Sequence, residues 1–149
     1  MIITRATIKD IDQILNLLSQ VLEIHANIRG DIFNHGVTKY QKEELIEMMK
    51  DDNNPIYVIK KDDKVLGYAF CQIIINKHPH LTKIHKTFYI DDFCIDEKYR
   101  RQHIGETLFG FIKEEATRLD MDEITLNEWV GNEGAKTFYE KMGLKARKI

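Results

Sequence analysis

The fold is decided by Phe93-Cys94-Ile95-Asp96-Glu97-Lys98-Tyr99-Arg100-Arg101-Gln102-His103-Ile104-Gly105-Glu106-Thr107-Leu108. This stretch begins as an apolar strand, passes through a short basic turn and continues with apolar residues at helical spacing. A helix after such a turn starts with unpaired N–H groups and the positive end of its macrodipole, which together bind phosphate. Arg100 and Arg101 add full charges, and Gly105 lets the backbone come close to a ligand. We therefore predict a phosphate-binding turn between a strand and a helix.

Hydrophobic periodicity on both sides of this stretch predicts further strands and helices. The expected strands cover 2–4, 56–60, 65–75, 87–95, 123–129 and 144–149. The expected helices cover 11–22, a segment ending at 49, 101–119 and 133–141. Capping boxes at Thr7–Asp10 and Thr38–Gln41 would open the first two helices, and Gly143 would end the last one.

These elements predict one mixed α/β domain that spans residues 1–149. The runs 56–60 and 65–75 flank Lys61–Lys64 and should form a hairpin. The unit at 87–129 needs a parallel crossover, which is right-handed by the usual rule. We expect a central, twisted, mostly antiparallel sheet with one parallel strand–helix–strand unit and helices on both faces.

The composition excludes several classes of protein. A chain of 149 residues that is 43% hydrophobic and 31% charged is typical of one globular domain. A net charge of −2 argues against a general binder of nucleic acid or anionic membranes. No apolar run approaches the ~18 residues of a spanning helix, and the N-terminus lacks the pattern of a signal peptide. We expect a cytoplasmic protein.

The cysteines and histidines do not form a recognisable metal motif. Cys71 and Cys94 lie in apolar strand-like runs without a CxxC spacing, which indicates buried, reduced thiols. His78, His80 and His85 share one loop, but no acidic residue or cysteine accompanies them in sequence. We therefore expect no metal.

A second stretch, at 132–144, completes a pattern with the first. Together they resemble the GNAT superfamily of acyl-CoA-dependent N-acyltransferases. The run Arg100–Gly105 is similar to that family's phosphate loop, Arg/Gln-x-x-Gly-x-Gly/Ala. The family's other signature, Asn-x-x-Ala-x-x-Phe-Tyr-Glu-Lys-x-Gly-Phe/Leu, is matched by Asn132, Ala135, Phe138, Tyr139, Glu140, Lys141, Gly143 and Leu144. The expected element order extends the resemblance to the whole chain.

The resemblance implies acetyl-CoA as the cofactor. The backbone of the strand before the turn would pair with the pantetheine arm, and the N–H groups from Arg101 to Thr107 would hold the pyrophosphate. Asn132 would meet the pantetheine arm, and Tyr139 would lie near the thioester sulfur, where a phenol with a pKa of about 10 suits protonation of a departing thiolate. The residues implied at the cofactor are Phe93, Cys94, Ile95, Arg100, Arg101, Gln102, His103, Ile104, Gly105, Glu106, Thr107, Asn132, Ala135 and Tyr139.

The chain departs from the family pattern at His103, which replaces the first glycine of the loop. Its side chain could crowd the pyrophosphate, point outward, or donate to a phosphate oxygen. Affinity for the cofactor depends on which of these holds.

An acidic pair, Asp91-Asp92, lies in the middle of the strand before the turn. Adjacent strand residues point to opposite faces, and a carboxylate there is costly unless it is paired or hydrated. The run Ile90-Asp91-Asp92-Phe93 resembles the strand of polyamine acetyltransferases, and Trp129 after Glu128 is also similar to that group. The resemblance implies that Asp91 is a general base acting through water and that Asp92 helps to form an acidic acceptor pocket. A solvated pair on an edge strand is the alternative.

The resemblance places the acceptor wall in the connection between the first two helices, where His25, Arg29, Asp31 and Phe33 are candidates. The implied activity is direct transfer of an acetyl group from acetyl-CoA to a primary amine, with Tyr139 and Asp91 catalytic, because no cysteine or serine is placed as an acyl carrier. A non-catalytic acyl-CoA-binding module and a protein N-terminus or lysine acetyltransferase stay open. The expected partner is a small cationic amine; whether the chain forms a homodimer is left open.

Overall fold

The structure, a computed structural model, describes residues 1–28, 40–76, 80–81, 83–127 and 133–145. The strands are β1 (Ile2–Arg5), β2 (Ile56–Lys61), β3 (Lys64–Ile75), β4 (Lys86–Ile95) and β5 (Glu123–Leu126). The helices are α1 (Ile11–Ile28), α2 (Lys42–Met49), α3 (Ile104–Arg118) and α4 (Glu133–Lys141), with short 3₁₀ turns at Ile8–Asp10 and Glu97–Tyr99. The predicted elements are present, apart from the strand at 144–149, which lies largely outside the described residues.

Several element ends differ from the predictions, most of them by one residue. α1 extends to Ile28, six residues past the predicted end. α3 begins at Ile104 and not at Arg101 because Arg101 and His103 have positive φ angles of 65° and 61°, which a helix cannot contain. β5 ends at Leu126, three residues before the predicted end. The N-cap of α2 is Gln41, whose backbone N–H donates to Glu44 at 3.1 Å, whereas the predicted cap at Thr38 lies outside the described residues.

The start of α1 follows the predicted capping residues. The Asp10 carboxylate accepts from the Thr7 backbone N–H at 2.9 Å and from Lys60 Nζ on β2 at 3.1 Å. The Thr7 hydroxyl donates to that same carboxylate at 3.3 Å. Asp10 is only 2% exposed, so these bonds stabilise a buried charge and tie α1 to the sheet.

The five strands form one sheet in chain order, β1-β2-β3-β4-β5. The first three pairings are antiparallel, and β4 pairs with β5 in parallel. α3 makes the crossover between β4 and β5. The predicted mostly antiparallel sheet with one parallel unit is therefore confirmed.

The sheet separates two hydrophobic cores, so helices cover both faces as predicted. α3 and α4 pack on one face, where Phe88, Leu108 and Phe109 are fully buried. α1 and α2 pack on the other, where Ile14, Leu45 and Tyr68 are fully buried. Among the described helices, none has both the length and the apolar character that a bilayer crossing requires.

Candidate active site

A cavity of about 670 Å³ lies between the C-terminal half of β4, the basic turn, the start of α3 and one side of α4. Its volume is in the range typical of small-molecule and cofactor sites. The predicted site residues that line it are Asp91, Asp92, Phe93, Cys94, Ile95, Arg100, Arg101, His103, Ile104, Gly105, Glu106, Ala135 and Tyr139. Residues far apart in the sequence therefore converge on one cavity.

The remaining predicted site residues are not placed in the cavity wall. Gln102 and Thr107 belong to the turn and to α3 but are not among the described lining residues. His25 lies in α1, but its side chain is outside the described part of the structure. Arg29, Asp31, Phe33, Trp129 and Asn132 also lie outside the described residues.

The backbone of β4 from Phe93 to Ile95 lies in the cavity wall. Among the described residues, the pairing of β5 with β4 covers residues 87–90 of β4 and does not extend to Phe93. The Asp96 N–H donates to the Leu66 carbonyl of β3 at 2.8 Å. Since backbone groups alternate in direction along a strand, the N–H and C=O groups of Phe93 and Ile95 face away from β3. They can bond an extended ligand laid along this edge.

The basic turn exposes the N-terminus of α3 to the cavity. The first N–H of α3 to bond back is that of Thr107, which donates to the His103 carbonyl at 3.1 Å. The N–H groups of Ile104, Gly105 and Glu106 precede it and have no carbonyl within the helix. With the macrodipole and two arginines beside them, these groups are suited to bind an anion. The Arg100 Nε donates to the Ile95 carbonyl at 3.2 Å, which fixes this side chain against β4.

His103 points outward, which was one of the orientations left open by the sequence. Its φ of 61° is in the left-handed region, where glycine has no steric cost and histidine is tolerated. The side chain is 76% exposed, and Nδ1 lies 3.3 Å from Glu106 Oε2. His103 therefore adopts a backbone conformation that glycine would take without steric cost, and its side chain lies largely in solvent.

An ion cluster at the same end of the cavity was not predicted. Lys141 on α4 donates to Glu106 on α3 at 2.6 Å. This bond, together with the charge of Lys141 and the nearby His103, lowers the pKa of Glu106. The pair joins α4 to the first turn of α3 and surrounds the one acidic group there with basic ones. Lys141 was predicted only as part of a motif, because its contact with Glu106 depends on tertiary packing.

Gly105 has a packing role in addition to the predicted one. A Cβ atom on Gly105 would stand 3.1 Å from Cε1 of Phe138 and 3.5 Å from Cγ1 of Ile95. The absence of a side chain at Gly105 lets the Phe138 ring of α4 lie directly on the first turn of α3. The residue therefore sets the distance between the two helices that border the cavity.

Tyr139 is held in a group of aromatic rings. Its ring centroid lies 5.3 Å from that of Phe138 and 6.3 Å from those of Phe93 and Phe109. Edge and tilted contacts of this kind are favourable beyond the area that they bury. They fix the ring of Tyr139 at the cavity wall while Phe93 places β4 beside it.

The acidic pair lies on one face of β4, and the prediction of opposite faces is wrong. Phe70 of β3 pairs with Asp92, whereas Cys71 pairs with Ile90, so Asp91 is an extra residue in a β-bulge. The bulge reverses the alternation: Ile90 and Phe93 pack in the α3 core, and Cys94 packs in the α1 core. Bulges of this kind re-aim side chains next to active sites. The bulge at Asp91 turns the carboxylates of Asp91 and Asp92 toward the α1–α2 side of the sheet.

The acidic pair does not lie on a solvated edge strand, which was the alternative interpretation of the sequence. β4 is an inner strand, between β3 and β5, and Asp92 is 9% exposed. The Tyr40 hydroxyl donates to Asp91 Oδ2 at 2.5 Å. The buried Tyr68 hydroxyl faces Asp92, and burial first and the charge of Asp92 second raise the pKa of Tyr68. The sequence analysis missed both tyrosines because each is 24 or more positions from the acid that it meets.

Cys94 is buried, and its thiol is expected to be unreactive. Its Sγ lies 3.8 Å from the Leu17 carbonyl of α1, and the residue is 4% exposed. Burial, followed by the charge of Asp92, raises the pKa of the Cys94 thiol to about 12. Cys71 is also buried, and burial raises the pKa of its thiol. Neither thiol is therefore a nucleophile at neutral pH.

Comparisons with known proteins agree on the class of protein that contains such a site. The family model described as acetyltransferase (GNAT) family matches residues 19–144. A mutant of the BH1408 protein from Bacillus halodurans has a similar structure, with a TM-score of 0.93 at 28% identity over 100% of this chain and 96% of that chain.

Two more distant structures share the fold. A possible acetyltransferase from Clostridium difficile 630 gives a TM-score of 0.75 at 18% identity, over 99% of this chain and 92% of that chain. An aminoglycoside acetyltransferase from an uncultured soil metagenomic sample gives a TM-score of 0.73 at 17% identity, over 99% of this chain and 90% of that chain. A search of curated proteins gives no significant match.

Proposed function

The chain belongs to the acetyltransferase (GNAT) family, and on that premise we propose that residues 1–149 form one domain that transfers an acetyl group from acetyl-CoA to a primary amine of a small cationic molecule. One observation carries the proposal. The same cavity holds an anion-binding turn at one end, an open strand edge along its wall, and Tyr139 with two carboxylates beside that strand. The turn and the edge suit acetyl-CoA, and the carboxylates suit a cation.

The residues present fit acetyl-CoA. The N–H groups at the start of α3, with Arg100 and Arg101, suit its pyrophosphate. The outward-facing N–H and C=O groups of Phe93 and Ile95 suit the amide groups of its pantetheine arm. When bound, acetyl-CoA would supply the acetyl group as a thioester. The chain would then provide orientation, proton transfer and electrostatic stabilisation.

Asp91 is the proposed general base. A cationic amine is attracted by the acidic pair, yet it must lose a proton before it can attack a carbonyl carbon. The carboxylate of Asp91 accepts that proton through a water molecule, and the nitrogen lone pair becomes available. Asp92 holds a second ammonium group, so the site favours diamines or basic side chains over amines with one charge.

Tyr139 is the proposed general acid. A neutral phenol at the cavity wall donates its proton to the sulfur as the carbon–sulfur bond breaks, which prevents the accumulation of a free thiolate. A backbone N–H of the open β4 edge polarises the carbonyl oxygen. Binding the amine and the thioester side by side lowers the entropic part of the activation barrier.

Transfer is proposed to be direct, without an acetylated enzyme. Cys94 is the one thiol in the cavity wall of the described structure, and its side chain packs in the α1 core with a strongly raised pKa. It therefore cannot act as an acyl carrier. The amine attacks while both substrates are bound.

Two measurements test this function. Calorimetric titration should show acetyl-CoA binding that weakens in Arg101→Glu, because the reversed charge faces the pyrophosphate. Lys9→Glu, a charge reversal at an exposed residue that does not line the cavity, should bind as the wild type does. Equal binding by the wild type and Arg101→Glu would contradict the placement of the cofactor.

The second measurement is release of CoA thiol with a panel of monoamines, diamines, amino acids and lysine-containing peptides. We expect release that depends on the amine and is fastest with small amines of two positive charges. Binding of acetyl-CoA without amine-dependent release would instead identify a non-catalytic acyl-CoA-binding module. Preference for peptides would identify a protein acetyltransferase.

A further inference from the structure

We propose that Tyr40 is a positioning residue that holds the Asp91 carboxylate in place. The inference rests on the proposed function, in which Asp91 receives the proton of the amine. Tyr40 is not among the described residues that line the cavity. It would therefore act on the reaction only through Asp91.

The geometry brings Tyr40 to Asp91 from a distant part of the chain. Tyr40 precedes α2 by two residues, and its hydroxyl donates to Asp91 Oδ2 at 2.5 Å across 51 positions. Its ring stacks on Phe70 of β3, with centroids 5.4 Å apart and planes 7° from parallel. Phe70 is fully buried and pairs with Asp92. The stacking on Phe70 therefore fixes the position of the Tyr40 hydroxyl beside the bulge.

The bulge sets where this contact is made. Asp91 is the extra residue of β4 between the pairs Cys71–Ile90 and Phe70–Asp92. The Tyr40 hydroxyl, whose ring stacks on Phe70 of β3, meets the carboxylate there. The hydrogen bond fixes one carboxylate oxygen and so restricts rotation of the group.

Tyr40 can serve as this donor at neutral pH. Burial first, and then its bond to Asp91, raise the pKa of the Tyr40 hydroxyl. The hydroxyl therefore remains protonated and keeps donating.

The test uses Tyr40→Phe, which keeps the stacked ring and removes the hydroxyl. Tyr57→Phe is the matched control, since the Tyr57 hydroxyl is buried, donates to the Glu115 carboxylate at 3.0 Å and lies outside the described cavity wall. The turnover number and the KM of the amine are measured for each tyrosine variant, both in the otherwise wild-type protein and in the Asp91→Asn background.

We expect Tyr40→Phe to lower the turnover number about tenfold in the otherwise wild-type protein, the factor that corresponds to one lost hydrogen bond to a charged group, with little change in the KM of the amine. In the Asp91→Asn background the same substitution should cause no further loss, because Tyr40 acts only through Asp91. Tyr57→Phe should leave the turnover number unchanged in both backgrounds.

An unchanged turnover number in Tyr40→Phe, or an equal loss in the wild-type and Asp91→Asn backgrounds, would overturn the inference and leave the proposed function intact. An Asp91→Asn variant that turns over as fast as the wild type would show that Asp91 is not the base, which overturns the assigned role of Tyr40 in catalysis together with that part of the proposed function.

Discussion

At the scale of residues, the aromatic rings around Tyr139 separate two contributions of that side chain. The ring packs against Phe93, Phe109 and Phe138, whereas the hydroxyl is the part that the proposed chemistry uses. Loss of the hydroxyl alone should therefore leave the α4–β4 contact in place. The contribution of the Tyr139 hydroxyl to turnover can therefore be measured separately from the contribution of the ring to stability.

Tyr139→Phe should reduce turnover by about 10²–10⁴-fold, the range of general acid catalysis, while the affinity for acetyl-CoA stays near that of the wild type. The measurement is the turnover number at saturating amine, with calorimetry for the affinity and Tyr57→Phe as the control. An unchanged turnover number, under conditions where chemistry limits the rate, would remove Tyr139 from the proton transfer.

The two thiols of the chain should be unreactive in the folded protein, because both are buried and both have raised pKa values. At about pH 8, where an ordinary thiol is partly ionised, we expect a disulfide reagent to modify neither cysteine. Both should react after denaturation. Rapid modification of one thiol in the native protein, or an acetylated protein after incubation with acetyl-CoA alone, would contradict direct transfer.

At the scale of elements, the sequence indicated the type of every described strand and helix but not the details that build the site. The periodicity of β4 and α3 gave the strand, the turn and the helix. The left-handed residues Arg101 and His103 were not predictable, because nothing in their chemistry demands that conformation. The bulge at Asp91 depends on the register with β3, which no local pattern contains, so the facing of the acidic pair was predicted wrongly.

The two described glycines of α3 provide a matched comparison. Gly110→Ala places a methyl group in open space within the helix and should stabilise the protein by about 0.5–1 kcal/mol. Gly105→Ala puts its methyl group 3.1 Å from the Phe138 ring, so the gain should be cancelled by displacement of α4.

Urea unfolding of both variants measures this difference. Gly105→Ala should be the less stable of the two and should also lose turnover, since α4 carries Tyr139. Equal stability of the two variants would show that the contact between Gly105 and Phe138 does not constrain the helices.

At the scale of the whole molecule, the sheet brings two different surfaces to one cavity. The α3 side supplies the basic turn and Tyr139, and the bulge turns the acidic pair toward the side of α1 and α2. The parallel pairing of β4 with β5 stops at residue 90, and the cavity begins there. The two sequence motifs contain the residues of the first surface. The tyrosines that face the second surface come from distant elements, so only the folded chain reveals them.

The central claim is that this cavity transfers acetyl groups to a cationic amine held by its acidic pair. The most direct test is the ratio of kcat/KM for a short α,ω-diaminoalkane to that for the monoamine of equal length, measured by CoA release in the wild type and in Asp92→Asn. We predict a preference for the diamine in the wild type, and its loss in Asp92→Asn through a higher KM for the diamine. Equal ratios in the two proteins, or no amine-dependent release from a protein that binds acetyl-CoA, would contradict the claim.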